Sequence, residues 1–228
     1  MGMPVLYTAY NRRMPFTTIF FDLDDTLYPP SAGLWEAIGG RITLYMTERM
    51  GFPPEQVVSI REKYFREFGT TLRGLQTNHA VDMDDYLAFV HNVPLDHYIH
   101  PDPAVRAAIA GIPARKFIFT NADANHARRV LDAVGLQGLF DGIIDVHSMA
   151  PFCKPMPEAF ELARKAAGNP AWQTCVLLDD QLRITRAARS LGMYTILVGK
   201  SSPGDDADAA LLHLTDLPGL LDGTLFTK

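Results

Sequence analysis

The sequence has 228 residues, of which 47% are hydrophobic, 21% charged and 10% aromatic, an ordinary globular composition with chain enough for a substantial core. A net charge of −5 and a pI of about 5.8 are the wrong sign for a surface that binds a nucleic-acid polymer. No apolar run approaches the roughly 18 residues of a membrane span, and two cysteines, Cys153 and Cys175, make no disulfide framework.

The opening residues, "MGMPVLYTAYNRRMPF", lack a basic start followed by an apolar run. No signal peptide is expected, and residues 1–15 read as an N-terminal extension. Reduced cysteines without a leader suggest a cytoplasmic protein. The first element is "TTIFFDLDDTLYPP". Ile19, Phe20 and Phe21 run straight into Asp22, Asp24 and Asp25, so a strand over 18–23 is expected, buried along its length and acidic at its carboxyl end. The spacing then turns helical. Leu34, Ile38, Ile42, Tyr45 and Met46 form one stripe with Ser31 as its cap. Val57, Ile60, Tyr64 and Phe68 form a second, begun by prolines and stopped by Gly69. Asp82 caps a third. Residues 30–97 therefore read as a helical block, with "TTLRGL" as a turn inside it.

After "HPDP" a helix over 104–110 leads to an alternating series. Strands "KFIFT", "GIIDV", "TCVLLDD" and "YTILVG" are separated by helices "ANHARRVLDAVG", "MPEAFELARKAAG" and "RITRAARSLG". Short, continuously apolar strands alternating with helices imply an α/β fold with a parallel sheet covered on both faces. The first strand belongs to that sheet. The core is then 16–29 plus 98–228, and 30–97 is an inserted, all-helical cap that opens and closes over the site.

Ligands of open α/β sheets bind beyond the carboxyl ends of the strands. Those ends carry Asp22 and Asp24, Thr120 and Asn121, and Asp179 and Asp180. Acids gathered at one point repel, and a divalent cation relieves the repulsion. A hard, oxygen-only donor set suits Mg²⁺, with carboxylates from Asp22 and Asp179 and a backbone carbonyl at Asp24. A carboxylate can also act as a nucleophile and form an aspartyl-phosphate. Thr120 can donate a hydroxyl to a phosphate. Lys154 in "CKPMP" can neutralise phosphate and acids together. Asp24 can protonate a leaving oxygen and then deprotonate an attacking water.

"FDLDDTLY", "FTNA", "CKP" and "LLDD", in this order, resemble the four signature motifs of the haloacid dehalogenase-like (HAD) hydrolases. The resemblance implies a Rossmann-like core, Mg²⁺ dependence and an aspartyl-phosphate intermediate. It implies Asp22 as nucleophile, Asp24 as general acid and base, and Lys154 as phosphate stabiliser. Thr120 and Asn121 would hold the phosphate, Asp179 would bind the metal, and Asp180 would support the metal's water shell. "DDTLYP", "FGTTLRGL", "FTNADANHARRVLDAVGLQGLFDGI" and "CKPMPEAF" are further similar to the pyrimidine 5′-nucleotidase branch. One departure is "DDQLRIT", where related sequences carry Ser and Asn in place of Gln181 and Ile184.

The cap must select the substrate. Tyr28 is expected to stack on a base, and Arg73 to pair with a base carbonyl or phosphate. Asn78 and His79 are weaker candidates. His91, His97 and His100 read as loop histidines, since no acid or cysteine set completes a zinc site. Asp25 reads as a turn residue. Cys153, next to Lys154, is expected to have a lowered thiol pKa. The combined expectation is a Mg²⁺-dependent phosphomonoesterase, monomeric or homodimeric, acting on a small phosphorylated metabolite. Its substrate is a pyrimidine nucleoside 5′-monophosphate, the alternatives being phosphoglycolate, a sugar phosphate, or no reaction at all on a HAD core used for binding.

Overall fold

The structure is a computed structural model and describes residues 16–225; the expected extension over 1–15 lies outside them. Six strands form one parallel sheet: β1 (Thr18–Phe21), β2 (Arg115–Phe119), β3 (Gly142–Ile144), β4 (Cys175–Asp179), β5 (Tyr194–Val198) and β6 (Ala209–Leu211), in the order β3-β2-β1-β4-β5-β6. This is the Rossmann-like α/β arrangement expected from the alternating pattern. The last strand and the helix after it carried no sequence expectation. β6 spans three residues, too few for a periodic signal.

Side chains on a strand alternate faces, and β1 shows what that does here. Ile19 and Phe21 join Ile118, Val176, Leu178 and Ile196 in one hydrophobic cluster, whereas Phe20 joins Phe117, Phe119, Leu177 and Phe160 in another. Both faces are covered, so all four positions of β1 are buried, and all are apolar except Thr18 at its start.

Nine α-helices flank or cap the sheet among the described residues: α1 (Leu34–Leu44), α2 (Pro54–Phe68), α3 (Thr71–Asn78), α4 (Met83–Val90), α5 (Pro103–Ala110), α6 (Ala124–Ala133), α7 (Pro157–Ala166), α8 (Leu182–Ser190) and α9 (Leu217–Leu225). Helices α1 to α4 all come from residues 30–97. Their apolar stripes (Leu34, Ile38, Ile42, Val57, Tyr64, Leu87, Val90) pack into the same cluster as Ile19 and Phe21.

Two local expectations change. Gly33, not Ser31, is the residue before α1, because Pro30–Ala32 forms a short 3-10 turn of its own. "TTLRGL" is the helix α3 rather than a turn, begun by Thr70, whose hydroxyl accepts the Arg73 N–H at 3.1 Å. Gly74 permits this close packing, since a Cβ there would run into the Tyr64 ring of α2. Gly69 does end α2, with a φ of +85°, and Asp82 caps α4 by accepting the Asp85 N–H at 2.8 Å.

Candidate active site

Three neighbouring strands bring the acids together. β1 lies between β2 and β4. Asp22 follows β1, Asp179 closes β4 and Thr120 follows β2, so residues far apart in sequence meet at one carboxyl edge. Lys154 arrives from the segment between β3 and α7. Its Nζ donates to Asp22 Oδ1 and to Asp179 Oδ2, each at 2.7 Å, and its side chain is 1% exposed. Asn121 fixes the base of this lysine from both sides. Its Nδ2 donates to the Lys154 carbonyl at 3.1 Å, and its Oδ1 accepts the Lys154 N–H at 2.9 Å.

The remaining contacts orient each carboxylate. Asp22 Oδ2 accepts the Thr26 hydroxyl at 3.3 Å. Asp179 Oδ1 accepts the Gln181 N–H at 3.0 Å. Asp24 Oδ1 accepts the Tyr28 hydroxyl at 2.6 Å and faces His126 Nε2 at 3.0 Å. Thr120 Oγ1 accepts the Ala122 N–H at 3.0 Å, which leaves its own hydrogen to donate.

Burial raises the pKa of Asp22 well above the carboxylate range, and Asp179 and Asp180 add to that against the opposing pull of Lys154. Burial also lifts Asp180, to about 7, with Asp179 contributing. Asp24 goes the other way. Burial would raise it, but His126 and the Tyr28 hydroxyl hold it below its ordinary value. Burial alone would lower Lys154, yet Asp179 and Asp22 keep its ammonium charged.

A divalent cation fits this arrangement. Asp22, Asp179 and Asp180 can each bring one oxygen within 4.8 Å of the others. Asp180 Oδ1 is buried without a hydrogen-bond partner, a state that costs free energy until a cation or donor meets it. The donors are all hard oxygens.

A cavity of about 820 Å³ opens over the acids, within the range of small-molecule sites. Asp22, Asp24, Thr120, Asn121, Lys154 and Asp180 line its floor. Residues 16–192, which contain all of them, match the family model for haloacid dehalogenase-like hydrolases.

The chain belongs to the haloacid dehalogenase-like hydrolase family.

It is 30% identical over 192 residues to Phosphate metabolism protein 8 of Saccharomyces cerevisiae, an overlap of 78% of this chain and 60% of that one. The chain thus spans about 60% of the length of this relative. Among solved structures, the HAD phosphatase of Thermococcus onnurineus is similar with a TM-score of 0.62 at 16% identity, over 91% of this chain and 98% of that one. A putative β-phosphoglucomutase of Thermotoga maritima gives 0.60 at 18%, over 92% and 100%. The magnesium-bound putative HAD-hydrolase YfnB of Bacillus subtilis gives 0.59 at 17%, over 91% and 99%. At these identities the structural likeness is one of fold.

Within this HAD-like hydrolase, the motif residues sit at one edge of the sheet, but Asn121 and the residues expected to read the substrate are engaged elsewhere. Tyr28 is 5% exposed and gives its hydroxyl to Asp24, so its ring is not free to stack on a base. Arg73 does not line the cavity. Its Nη2 donates to the carbonyls of Val146 at 2.9 Å and Phe152 at 3.0 Å, and its Nη1 to Gln76 Oε1 at 2.7 Å. It therefore ties α3 to the chain just before Lys154. The Asn121 side chain is spent on Lys154 rather than left for a phosphate. Asn78 and His79 are used locally, bonding to the Gly74 carbonyl and the Tyr64 hydroxyl.

The Arg73 tie makes a prediction. Arg73→Met leaves two carbonyls without their donor, and unmet buried polar groups cost about 1–3 kcal/mol each. We expect a loss of roughly 2–3 kcal/mol in urea unfolding, and Arg73→Lys should recover less than half, since one ammonium cannot serve both carbonyls in a fixed fork.

Asp25 does sit in a turn, with a φ of +57°, but it also lines the cavity. Burial, then Asp24, lifts its pKa to about 6. Cys153 departs from expectation. Burial raises its thiol pKa, its Sγ donates to the Phe68 carbonyl, and the neighbouring lysine's charge points into the acids instead. Two histidines stand at the site without having been expected there, His91, which read as a loop residue, and His126, which carried no expectation. Both are buried, and they stack at 4.1 Å. His91 lies at the end of α4, where its spacing from His97 and His100 suggested a loop. The signal for His126 was its place in the first turn of α6, just beyond "FTNA", where a side chain reaches back toward the strand ends.

Proposed function

We propose that the chain is a Mg²⁺-dependent phosphomonoester hydrolase acting through an aspartyl-phosphate on Asp22, with pyrimidine nucleoside 5′-monophosphates as substrates. The observation that carries this reading is the contrast between two acids two residues apart. Asp22 is gripped by a buried ammonium, while Asp24 is held by a histidine and a tyrosine. Carboxylates in opposed settings divide nucleophile from proton carrier.

Asp22, Asp179, Asp180 and the Asp24 carbonyl would hold Mg²⁺. When bound, it supplies positive charge that keeps Asp22 ionised and draws the phosphate in. Asp22 attacks phosphorus, with Lys154, Thr120 and backbone N–H groups after β2 neutralising the phosphoryl oxygens. Asp24 is ionised in the free site. The arriving phosphate dianion raises its pKa, so Asp24 takes up a proton from solvent as the substrate binds and then delivers it to the leaving alkoxide. It then takes a proton from the water that opens the acyl phosphate. Asp24 has no task in carbon–halogen hydrolysis, which argues against that reaction. The name of the yeast relative, Phosphate metabolism protein 8, agrees with phosphate chemistry.

The cavity wall supports the substrate class. Trp35, Ile38, Ile42, Val58, Phe65 and Leu182 line it, and Trp35 and Phe65 are 43% and 38% exposed. An apolar and aromatic wall suits a planar base better than a small anion such as phosphoglycolate. Gln181 and the buried Ile184 also line the cavity, and the Gln181 Oε1 accepts the Arg183 Nε–H at 3.0 Å.

The deciding measurement is steady-state phosphate release with Mg²⁺ from UMP, CMP, AMP, phosphoglycolate and sugar phosphates. We expect kcat/KM for UMP or CMP to exceed that for the non-nucleotides by about 10-fold or more, as a filled apolar pocket allows. A preference for AMP, phosphoglycolate or a sugar phosphate overturns the pyrimidine assignment. Inertness toward all of them favours a binding protein on a HAD core. The proposed setting is cytoplasmic; among the described residues no helix is long and apolar enough to cross a membrane.

A further inference from the structure

The reaction above gives His126 no step of its own. The His126 side chain is wholly buried, and its Nε2 lies 3.0 Å from Asp24 Oδ1, the oxygen that also accepts the Tyr28 hydroxyl. Both of these bonds fall on Oδ1, and Asp24 lines the cavity. Two donors on one oxygen fix the carboxylate rotamer and leave the other oxygen for the reacting group.

His126 is itself held on two sides. His91 lies flat against it, with ring centroids 4.1 Å apart and planes 16° apart. His91 Nδ1 is 2.6 Å from Asp123 Oδ2. The other oxygen of Asp123 caps α6 by accepting the N–H groups of Asn125 at 2.8 Å and His126 at 2.9 Å. Arg129, further along α6, donates to the carbonyls of His91 and Val93 at 2.7 Å each. One carboxylate thus sets both the backbone of His126 and the ring packed on it. The same contacts link α4, from residues 30–97, to the strand end that carries Asp24.

We propose that His126, braced by the His91–Asp123 pair, is a positioning residue that holds the Asp24 carboxylate with Oδ2 free for the leaving-group oxygen. The inference rests on the acid role of Asp24 in the proposed reaction. A neutral ring that donates from Nε2 has a bare Nδ1, and Nδ1 is buried without a partner that would call for a proton there.

A misdirected acid harms substrates in proportion to their need for a proton. A nucleoside 5′-alkoxide needs one to leave, and p-nitrophenolate does not. The test compares kcat/KM, which reports phosphorylation of the enzyme, for UMP and p-nitrophenyl phosphate at saturating Mg²⁺. Wild type, Asp24→Asn, His126→Leu and His126→Gln are measured side by side. We expect His126→Leu to lose about 30-fold on UMP and under about threefold on p-nitrophenyl phosphate. His126→Gln, whose amide nitrogen can reach the Nε2 position, should restore most of the ratio. If His126→Leu does not fold, His91→Phe keeps the ring stack but cuts the Asp123 bond, and should lower the same ratio severalfold.

Equal losses on both substrates, or an unchanged ratio, overturn the inference. If Asp24→Asn shifts the ratio and the histidine variants do not, the inference fails and the proposed reaction stands. If Asp24→Asn leaves the ratio unchanged, the acid role falls and the inference with it. A wild-type enzyme inert on both substrates overturns both.

Discussion

Asp22→Asn is expected to remove nearly all turnover, by roughly 10⁴-fold or more, as loss of a covalent nucleophile does elsewhere. The amide oxygen can still accept from Lys154 in the place of Oδ1, and the amide nitrogen, in the place of Oδ2, can donate to a Thr26 hydroxyl turned to accept, so the strand end keeps its hydrogen bonds. What disappears is the charge and the ability to form an acyl phosphate. Thermal unfolding should therefore show a folded protein with a midpoint close to wild type. Acid quenching during turnover supplies a second readout. Wild type should yield a hydroxylamine-labile phosphoprotein, and Asp22→Asn none. Appreciable activity in the variant would remove Asp22 from the nucleophile's role and reassign it to metal binding.

Lys154→Met is expected to damage both catalysis and stability. The ammonium stands between Asp22 and Asp179, and all three side chains are buried. Methionine fills most of the volume but leaves two carboxylates facing each other. Removing one partner from a buried ion pair costs about 3–5 kcal/mol, mainly through the uncompensated charge left behind. We expect a loss of that order in metal-free urea unfolding at neutral pH. Mg²⁺ should restore more stability to the variant than it adds to wild type, because the vacated charge lets a cation bind more tightly and binding to the native state alone stabilises it. Activity should fall by about 10²–10³-fold even with saturating Mg²⁺, since a fixed positive group at the phosphoryl oxygens has no replacement. Equal stabilisation of both proteins by Mg²⁺ would show that the cation does not sit against Asp22 and Asp179.

Much of this molecule follows from local sequence. A strand buried on both faces needs an unbroken apolar run, and "TIFF", "KFIF" and "CVLLD" are such runs. Parallel strands place their carboxyl ends on one side, so acids that end strands must assemble there. For that reason Asp22, Asp24, Thr120, Lys154 and Asp179 were legible as one group, and membership of the HAD-like family agrees with it. Side-chain partnerships across long sequence distances were not legible. Tyr28 and Arg73 have shapes that suit a ligand, but the first donates to Asp24 and the second to carbonyls 73 and 79 residues away. A guanidinium serves a buried carbonyl as readily as a phosphate, and residue type cannot say which it will meet.

The sequence by itself determined the alternation of helix and strand, the parallel sheet, the helical block over 30–97 and the acids at the carboxyl edge of the sheet. Each is a local or periodic property, fixed by which faces must be apolar and by which turn residues end an element. The tertiary structure alone decided how those acids are held. It placed His126 against Asp24, laid His91 on His126, turned Asn121 toward Lys154 and took Tyr28 and Arg73 out of the cavity wall. The physical reason is that a buried polar group must find a partner wherever the folded chain provides one, and the nearest partner in space carries no mark in the sequence.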